Sequence, residues 1–142
     1  MTTEEITPAE AHAQLQLGAL YIDVRTPEEF EEGHPAGAYN LPLQLRDAHR
    51  GLVDNPAFVS HVRALFTADR TLILGCRAGP RAVRAAALLR AQGYRALSVM
   101  RGGMEGKRDA FGALEIPGWK QAGLPVSYDH ERTYAALTQR IA

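Results

Sequence analysis

The chain has 142 residues, enough for one domain to bury a core without disulfides or metal. Sixteen basic side chains balance sixteen acidic ones, so composition favours neither a nucleic-acid partner nor a membrane surface. One cysteine excludes an intramolecular disulfide, no apolar run approaches the roughly 18 residues of a membrane span, and the polar, acidic N-terminus is unlike a secretory signal. We therefore expect a soluble, cytoplasmic single domain over residues 1–142 whose partner is a small molecule or another protein.

The first part of the chain alternates helix-start signals with a short apolar run. Thr7-Pro8-Ala9-Glu10 combines a capping hydroxyl, a proline and a glutamate that can bond back to the cap, which predicts a helix ending near Gly18. Residues 20–24 are rich in aromatic and β-branched side chains, as is typical of a strand. Thr26-Pro27-Glu28-Glu29 repeats the helix start and predicts a helix of about two turns.

The alternation continues after a segment, residues 43–54, that reads as a long polar loop. Asn55-Pro56 opens a predicted helix with apolar side chains at helical spacing. Residues 72–74 are typical of a strand covered on both faces, residues 81–92 of a helix and residues 96–100 of a further strand. Because strands and helices alternate, we predict an α/β fold with a mainly parallel sheet and helices on both faces.

Cys76 lies between an apolar strand and the start of the helix predicted over residues 81–92. The unpaired amides and the dipole of a helix N-terminus favour a thiolate there, and ligands of such sheets bind at the carboxyl ends of the strands. A lone cysteine is more often an inert apolar filler, but filler has apolar neighbours. Here Arg77 and Arg81 follow, and their charge favours a thiolate and can hold an anionic substrate.

Backbone amides form the predicted cradle around this sulfur. Pro80 has no N–H, which removes one donor and stiffens the turn. The remaining expected donors are the amides of Arg77, Ala78, Gly79, Arg81 and Ala82.

Three ordered motifs resemble the signatures of the rhodanese family. The first combines Asp23-Val24-Arg25 and Glu29-Phe30 with the segment at residues 33–42, Gly-His-Pro-Ala-Gly-Ala-Tyr-Asn-Leu-Pro. The second is Cys76-Arg77-Ala78-Gly79-Pro80-Arg81. The third is Arg101-Gly102-Gly103 followed later by residues 119–126. Together the motifs span a core of about residues 5–127.

This resemblance implies a three-layer α/β domain with a central parallel sheet of about five strands. It also implies a sulfurtransferase without a cofactor, in which Cys76 takes the outer sulfur of thiosulfate or a related donor as a persulfide and sulfite leaves. The sulfur then passes to cyanide or a thiol. Arg77 and Arg81 would bind the anionic donor, and the amide cradle would stabilise the anionic persulfide.

Asp23 and Arg25 end the predicted strand beside the reactive loop. We expect them to support that loop, with Arg25 paired to Glu29, because charged groups in such a place need partners. The other interpretation of Arg25 is an ordinary solvated side chain. His34 is expected to be structural.

Other site chemistries fit the sequence less well. Related dual-specificity phosphatases place five residues between cysteine and arginine, whereas four intervene here and Ala82 occupies the phosphatase position. Neither a P-loop nor a dinucleotide-binding motif fits this segment, because each needs a glycine where Arg101 stands. A P-loop also needs a hydroxyl side chain where Arg108 stands. The five histidines show no metal-ligand spacing, and no catalytic triad is evident, so we expect no metal or other cofactor.

Residues 104–118 resemble an insertion of about a dozen residues, because the family tryptophan usually follows the glycine pair more closely than Trp119 does. It is either a tolerated surface excursion or a segment through which Lys107 or Arg108 reaches the cysteine pocket. Residues 129–142 predict a C-terminal helix that packs on the core or serves an oligomer contact.

Three functions remain open from the sequence. The first is a sulfurtransferase acting on thiosulfate or a related small anion. The second is a relay that receives sulfur from a donor protein and passes it to an acceptor protein. The third is a catalytically idle binding module, although the retained Cys76, Arg77 and Arg81 count against it.

Overall fold

The computed structural model describes residues 3–141. In chain order its elements are β1 (Glu4–Ile6), α1 (Pro8–Gln16), β2 (Leu20–Asp23), α2 (Pro27–Glu31), β3 (His34–Pro35), β4 (Tyr39–Asn40), β5 (Gln44–Asp47), β6 (Gly51–Asp54), α3 (Phe58–Leu65), β7 (Leu72–Gly75), α4 (Pro80–Ala91), β8 (Leu97–Met100), β9 (Lys107–Arg108), β10 (Leu114–Ile116), β11 (Val126–Ser127) and α5 (Tyr134–Ile141).

The central sheet has five parallel strands in the order β1-β8-β7-β2-β4. Side chains of the buried strand β7 alternate between two apolar clusters: Leu72 and Leu74 face α3, α4 and α5, and Ile73 faces α1 and Trp119. The predicted α/β fold, with a parallel sheet covered on both faces, is confirmed.

The sheet brings two motifs to one edge. β2 pairs with β7 in a register that sets Asp23 beside Gly75. Because both strands run in the same direction, the segments that follow them, with Arg25 and Cys76, leave the sheet at the same end. The site therefore lies at the carboxyl ends of β2 and β7.

The prediction of a polar loop over residues 43–54 is wrong, because β5 and β6 form an antiparallel hairpin there. The Asp47 carboxylate accepts hydrogen bonds from the amides of His49 and Arg50 at 2.8 and 3.0 Å, and Gly51 has a φ of +75°. These hydrogen bonds and the glycine conformation form the turn of the hairpin. The two strands have no alternation of apolar and polar side chains, so the sequence pattern did not predict them.

Two further segments form strands that were not predicted, and the C-terminal helix is shorter than predicted. The acidic N-terminal stretch forms β1, where Ile6 is the buried side chain and β8 supplies the pairing. The insertion contains the hairpin β9–β10. α5 begins at Tyr134 rather than at residue 129, and Ala142 lies outside the described residues. Across residues 3–141, none of the helices has the length and apolar character to cross a membrane.

Candidate active site

Cys76 follows β7 directly, and its side chain is buried in the loop that opens α4. The Gly79 amide donates to Cys76 Sγ at 3.0 Å. Gly79 has a φ of +146°, a conformation that favours glycine, and α4 has no side-chain cap. Of the five amides expected around the sulfur, that of Gly79 alone makes this hydrogen bond within residues 3–141. We call residues 76–79 the cysteine loop.

The first two residues of the insertion, directly after the glycine pair, hold the cysteine loop by its carbonyls. Met104 donates its amide to the Cys76 carbonyl at 2.8 Å, and Glu105 donates to the Arg77 carbonyl at 3.0 Å. A Cβ on Gly103 would lie 2.4 Å from the Cys76 carbonyl oxygen, so a side chain there is excluded without movement of the loop. Residues 103–105 thus fix the backbone that carries the sulfur.

Tyr21 lies beneath the strand that carries the cysteine, a role that no sequence signal indicated. A Cβ on Gly75 would fall 1.6 Å from Tyr21 Oη, so this close approach requires glycine. Burial raises the pKa of Tyr21 well above its ordinary value, and the nearby Asp23 acts in the same direction. The phenol stays neutral beside the site.

Asp23 and Arg25 form a buried ion pair at the end of β2. Arg25 donates Nε and Nη2 to the Asp23 carboxylate, with Nη2 at 2.7 Å from Oδ2, and Nη2 also donates to the Gly33 carbonyl at 2.8 Å. The side chain of Asn40 donates Nδ2 to the backbone carbonyls of Asp23 and Arg25. The predicted Arg25–Glu29 pair is wrong because Asp23 holds Arg25 and Glu29 binds another arginine.

That other arginine is Arg81, in the first turn of α4. Its guanidinium donates to the two carboxylate oxygens of Glu29 at 2.6 and 3.0 Å, and Glu29 also caps α2 through Thr26. Burial acts to raise the pKa of Glu29, but the bonds from Arg81 and Thr26 outweigh it and lower the pKa from 4.5 to about 2. The hydrogen bonds to Glu29 in turn raise the pKa of Arg81. Arg81 therefore ties α4 to α2.

Arg77 has a different environment, because it is exposed on the cysteine loop. It lines a polar pocket of about 290 Å³ together with Arg25, Glu29, Glu32 and Glu105. Lys120 binds Glu105 at 2.6 Å. Within residues 3–141, Arg77 is the lining cation without an ion-pair partner, so it is the arginine available to an incoming anion.

The other predicted site residues fall around the loop. Ala78 and Gly79 are partly exposed on it, whereas the Ala82 side chain is buried in the core. Lys107 and Arg108 are both exposed on β9. Lys107 lines a groove that also contacts Ala78 and Gly79, while Arg108 donates to the Gly112 carbonyl of its own hairpin.

Fold and site together define an α/β domain whose reactive group is a cysteine at the start of a helix, at the carboxyl end of a parallel sheet. Residues 7–110 match the model of the rhodanese-like domain. The chain belongs to this family, a family of sulfurtransferases.

Named relatives cover nearly the whole chain. The chain is 36% identical over 115 residues to "Thiosulfate sulfurtransferase 16, chloroplastic" of Arabidopsis thaliana. The aligned region covers 81% of this chain and 85% of that protein. It is 29% identical over 126 residues to "Thiosulfate sulfurtransferase GlpE" of Haemophilus influenzae, covering 89% and 96% of the two chains.

Solved structures share the architecture. The crystal structure of Rv0390 from M. tuberculosis superposes with a TM-score of 0.75 at 25% identity, covering 91% of this chain and 100% of that one. The rhodanese-like domain of Alr3790 from Anabaena superposes with a TM-score of 0.63 at 19% identity, covering 89% and 80%, which is a likeness of fold.

Proposed function

We propose that this protein transfers sulfane sulfur from thiosulfate or a related small anion to a thiol or cyanide through a persulfide on Cys76. The observation that carries the proposal is the position of Cys76 Sγ, held 3.0 Å from the Gly79 amide at the N-terminus of α4. Amide dipoles and the helix dipole stabilise the negative charge that sulfur carries before and after it accepts a sulfur atom. The names of the relatives support thiosulfate as donor.

In the first half-reaction, the Cys76 thiolate attacks the outer sulfur of thiosulfate. A bond forms between Cys76 Sγ and that sulfur, the S–S bond of thiosulfate breaks, and its electron pair leaves with sulfite. In the second, a thiolate or cyanide attacks the outer sulfur of the persulfide and the Cys76 thiolate is restored. Atoms and charge balance in both steps without a cofactor.

Two arginines have separate roles in this scheme. Exposed Arg77 binds the anionic donor from the polar pocket, since its charge is not taken up by a carboxylate within residues 3–141. Arg81 keeps α4 and the cysteine loop in place through Glu29, and its positive charge interacts with Cys76. Asp23 and Arg25 hold the end of β2 beneath the loop.

Thiocyanate formation from thiosulfate and cyanide tests the proposal, with Cys76→Ser as control. We expect turnover in the wild-type protein and none above background in the variant. Turnover that survives in Cys76→Ser contradicts the mechanism. Turnover of the wild-type protein only with a partner protein supports the relay and overturns the small-anion donor.

A further inference from the structure

A groove of about 720 Å³ borders the cysteine loop and shares no lining residue with the polar pocket. Its walls come from the cysteine loop, α4, the end of β8 and the hairpin of the insertion, with part of β1 closing one side. The apolar lining side chains are those of Pro80, Val83, Ala86, Ala87, Val99, Met100 and Ile116. A concave, mostly apolar site of this size fits a small organic ligand.

The groove is open to solvent along α4. Val83 projects from the first turns of that helix and is 59% exposed, although it is apolar. Ile116 faces the groove from β10 and is partly exposed. Covering these exposed apolar side chains with an apolar ligand lowers the free energy of the complex.

The charged side chains on the rim are mostly positive. Lys107, Arg90 and Arg101 line the groove, and Glu5 is the carboxylate among its lining residues. Glu5 is already paired with Arg101 at 3.2 Å, and Arg90 donates to Thr3 Oγ1. Lys107 is exposed and makes no ion pair within residues 3–141. This rim complements an anionic group on the ligand.

One end of the groove is close to the sulfur. Ala78 and Gly79 line it, and the Gly79 amide is the one that donates to Cys76 Sγ at 3.0 Å. A ligand in the groove thus extends to the residue that contacts the reacting atom.

We infer that the groove binds the sulfur acceptor, and that the acceptor is a small organic thiol with an apolar body and an anionic end. The inference rests on the proposed persulfide at Cys76. The apolar body covers Val83 and Ile116, the anionic end binds Lys107, and the thiol reaches the cysteine loop. The insertion, which supplies Lys107 and Ile116, then selects the acceptor rather than the donor.

The transfer balances without an oxidant. The acceptor sulfur, as thiolate, attacks the outer sulfur of the persulfide, and a new S–S bond forms between them. The bond between that sulfur and Cys76 Sγ breaks, and its electron pair returns to Cys76. The products are the organic persulfide anion and the Cys76 thiolate; the proton that the thiol lost on forming the attacking thiolate is released to solvent.

The test uses thiosulfate with ω-mercaptoalkanoates of three, six and eight carbons as acceptors, and cyanide as the reference acceptor. We expect kcat/KM to rise by up to about fourfold for each added methylene that the groove buries. 6-Mercaptohexanol, which lacks the carboxylate, is expected to be about fivefold or more poorer than 6-mercaptohexanoate, as for loss of a charge-assisted contact. Equal kcat/KM across the series, with normal cyanide turnover, overturns the inference and leaves the proposed function standing.

Matched variants locate the effect in the groove. Lys107→Ala should remove the preference for the carboxylate, and Arg108→Ala, on the neighbouring residue, should not. Val83→Asp should abolish the chain-length effect, and Leu88→Asp, at another exposed apolar position of α4, should not. None of the four variants should change cyanide turnover. Equal effects within either matched pair contradict the assignment.

A binding measurement separates this inference from the proposed function. Octanoate carries the apolar body and the anionic end without a thiol, and its binding to Cys76→Ser protein is followed by calorimetry. We expect binding that Lys107→Ala weakens several-fold and Arg108→Ala does not change. If no persulfide forms but octanoate binds in this way, the groove remains a site while the sulfur chemistry fails. Absence of octanoate binding overturns the groove as a site.

Discussion

The two sides of the cysteine loop differ in what builds them. The polar pocket side is lined by Arg25, Glu29 and Arg77 of the first two motifs together with Glu32 and Glu105; Arg25 and Glu29 are held in ion pairs and Arg77 is exposed. The groove side is made by α4 and by the hairpin of the insertion, with Lys107 on its rim. In this chain, then, the charged side chains around the cysteine loop are mostly paired on the pocket side, whereas the groove side offers apolar surface and the unpaired charge of Lys107, within residues 3–141.

The largest expected effect is on the pocket side. Arg25→Ala leaves the Asp23 carboxylate buried without its partner, so we expect a loss of about 3 to 5 kcal/mol in the free energy of unfolding. Urea denaturation at neutral pH measures it. Arg84→Ala removes an exposed ion pair with Asp54 and serves as control, with little or no expected loss of stability. Similar losses in the two variants would show that the Asp23–Arg25 pair is not a structural support.

Gly103→Ala tests the close packing of residues 103–105 against the cysteine loop. The added Cβ meets the carbonyl oxygens of Cys76 and Arg77 at 2.4 and 2.6 Å, so the cysteine loop has to move. We expect a loss of stability of about 1 to 3 kcal/mol and a clear fall in kcat. Gly112→Ala, also at positive φ but with open space around its Cβ, is the control and should leave kcat unchanged. Unchanged kcat in Gly103→Ala would contradict the proposed hold on the loop.

Substitutions of Arg77 and Arg81 should have different effects on the KM for thiosulfate and on the melting temperature. Arg77→Ala removes an exposed charge from the pocket, so we expect the KM for thiosulfate to rise about tenfold or more, with little change in melting temperature. Arg81→Ala breaks the bond to Glu29 and should lower the melting temperature more than Arg77→Ala does. An unchanged KM in Arg77→Ala would remove this arginine from donor binding.

The smallest expected effect is the pH dependence of the Glu29–Arg81 pair. The folded pKa of Glu29 is lowered from 4.5 to about 2, so the pair stabilises the fold above about pH 4.5 and the stabilisation is lost as the pH falls towards 2. Glu29→Gln should therefore be less stable than wild type near neutral pH, by about 1 kcal/mol after allowance for solvent screening. The difference should vanish near pH 2. A constant difference across acid titration by circular dichroism would contradict this pairing.

Local rules predicted the parts of the fold that have local causes. Both Thr-Pro helix starts form capping boxes, and the apolar run before Cys76 is the buried strand β7. The hairpins escaped prediction because turn residues and cross-strand pairing create them without an apolar alternation. β1 escaped because a strand with one buried side chain depends on the edge of β8.

The residues of the candidate site were found by motif, but their partners were not. Glu29 lies four residues from Arg25 and 52 from Arg81, and the fold selects the distant arginine. Sequence separation could not choose between them, because the choice depends on how the fold places the starts of α2 and α4 relative to each other. The close approach of Tyr21 to Gly75 is likewise a product of strand register.

The central claim is that Cys76 carries a sulfur atom covalently during turnover. Intact-mass measurement after incubation with thiosulfate, followed by removal of excess donor, tests it most directly. The account predicts a mass increase of one sulfur atom that maps to Cys76, is absent in Cys76→Ser, and disappears when cyanide is added. A wild-type protein that turns over thiosulfate and cyanide but never shows this adduct would contradict it.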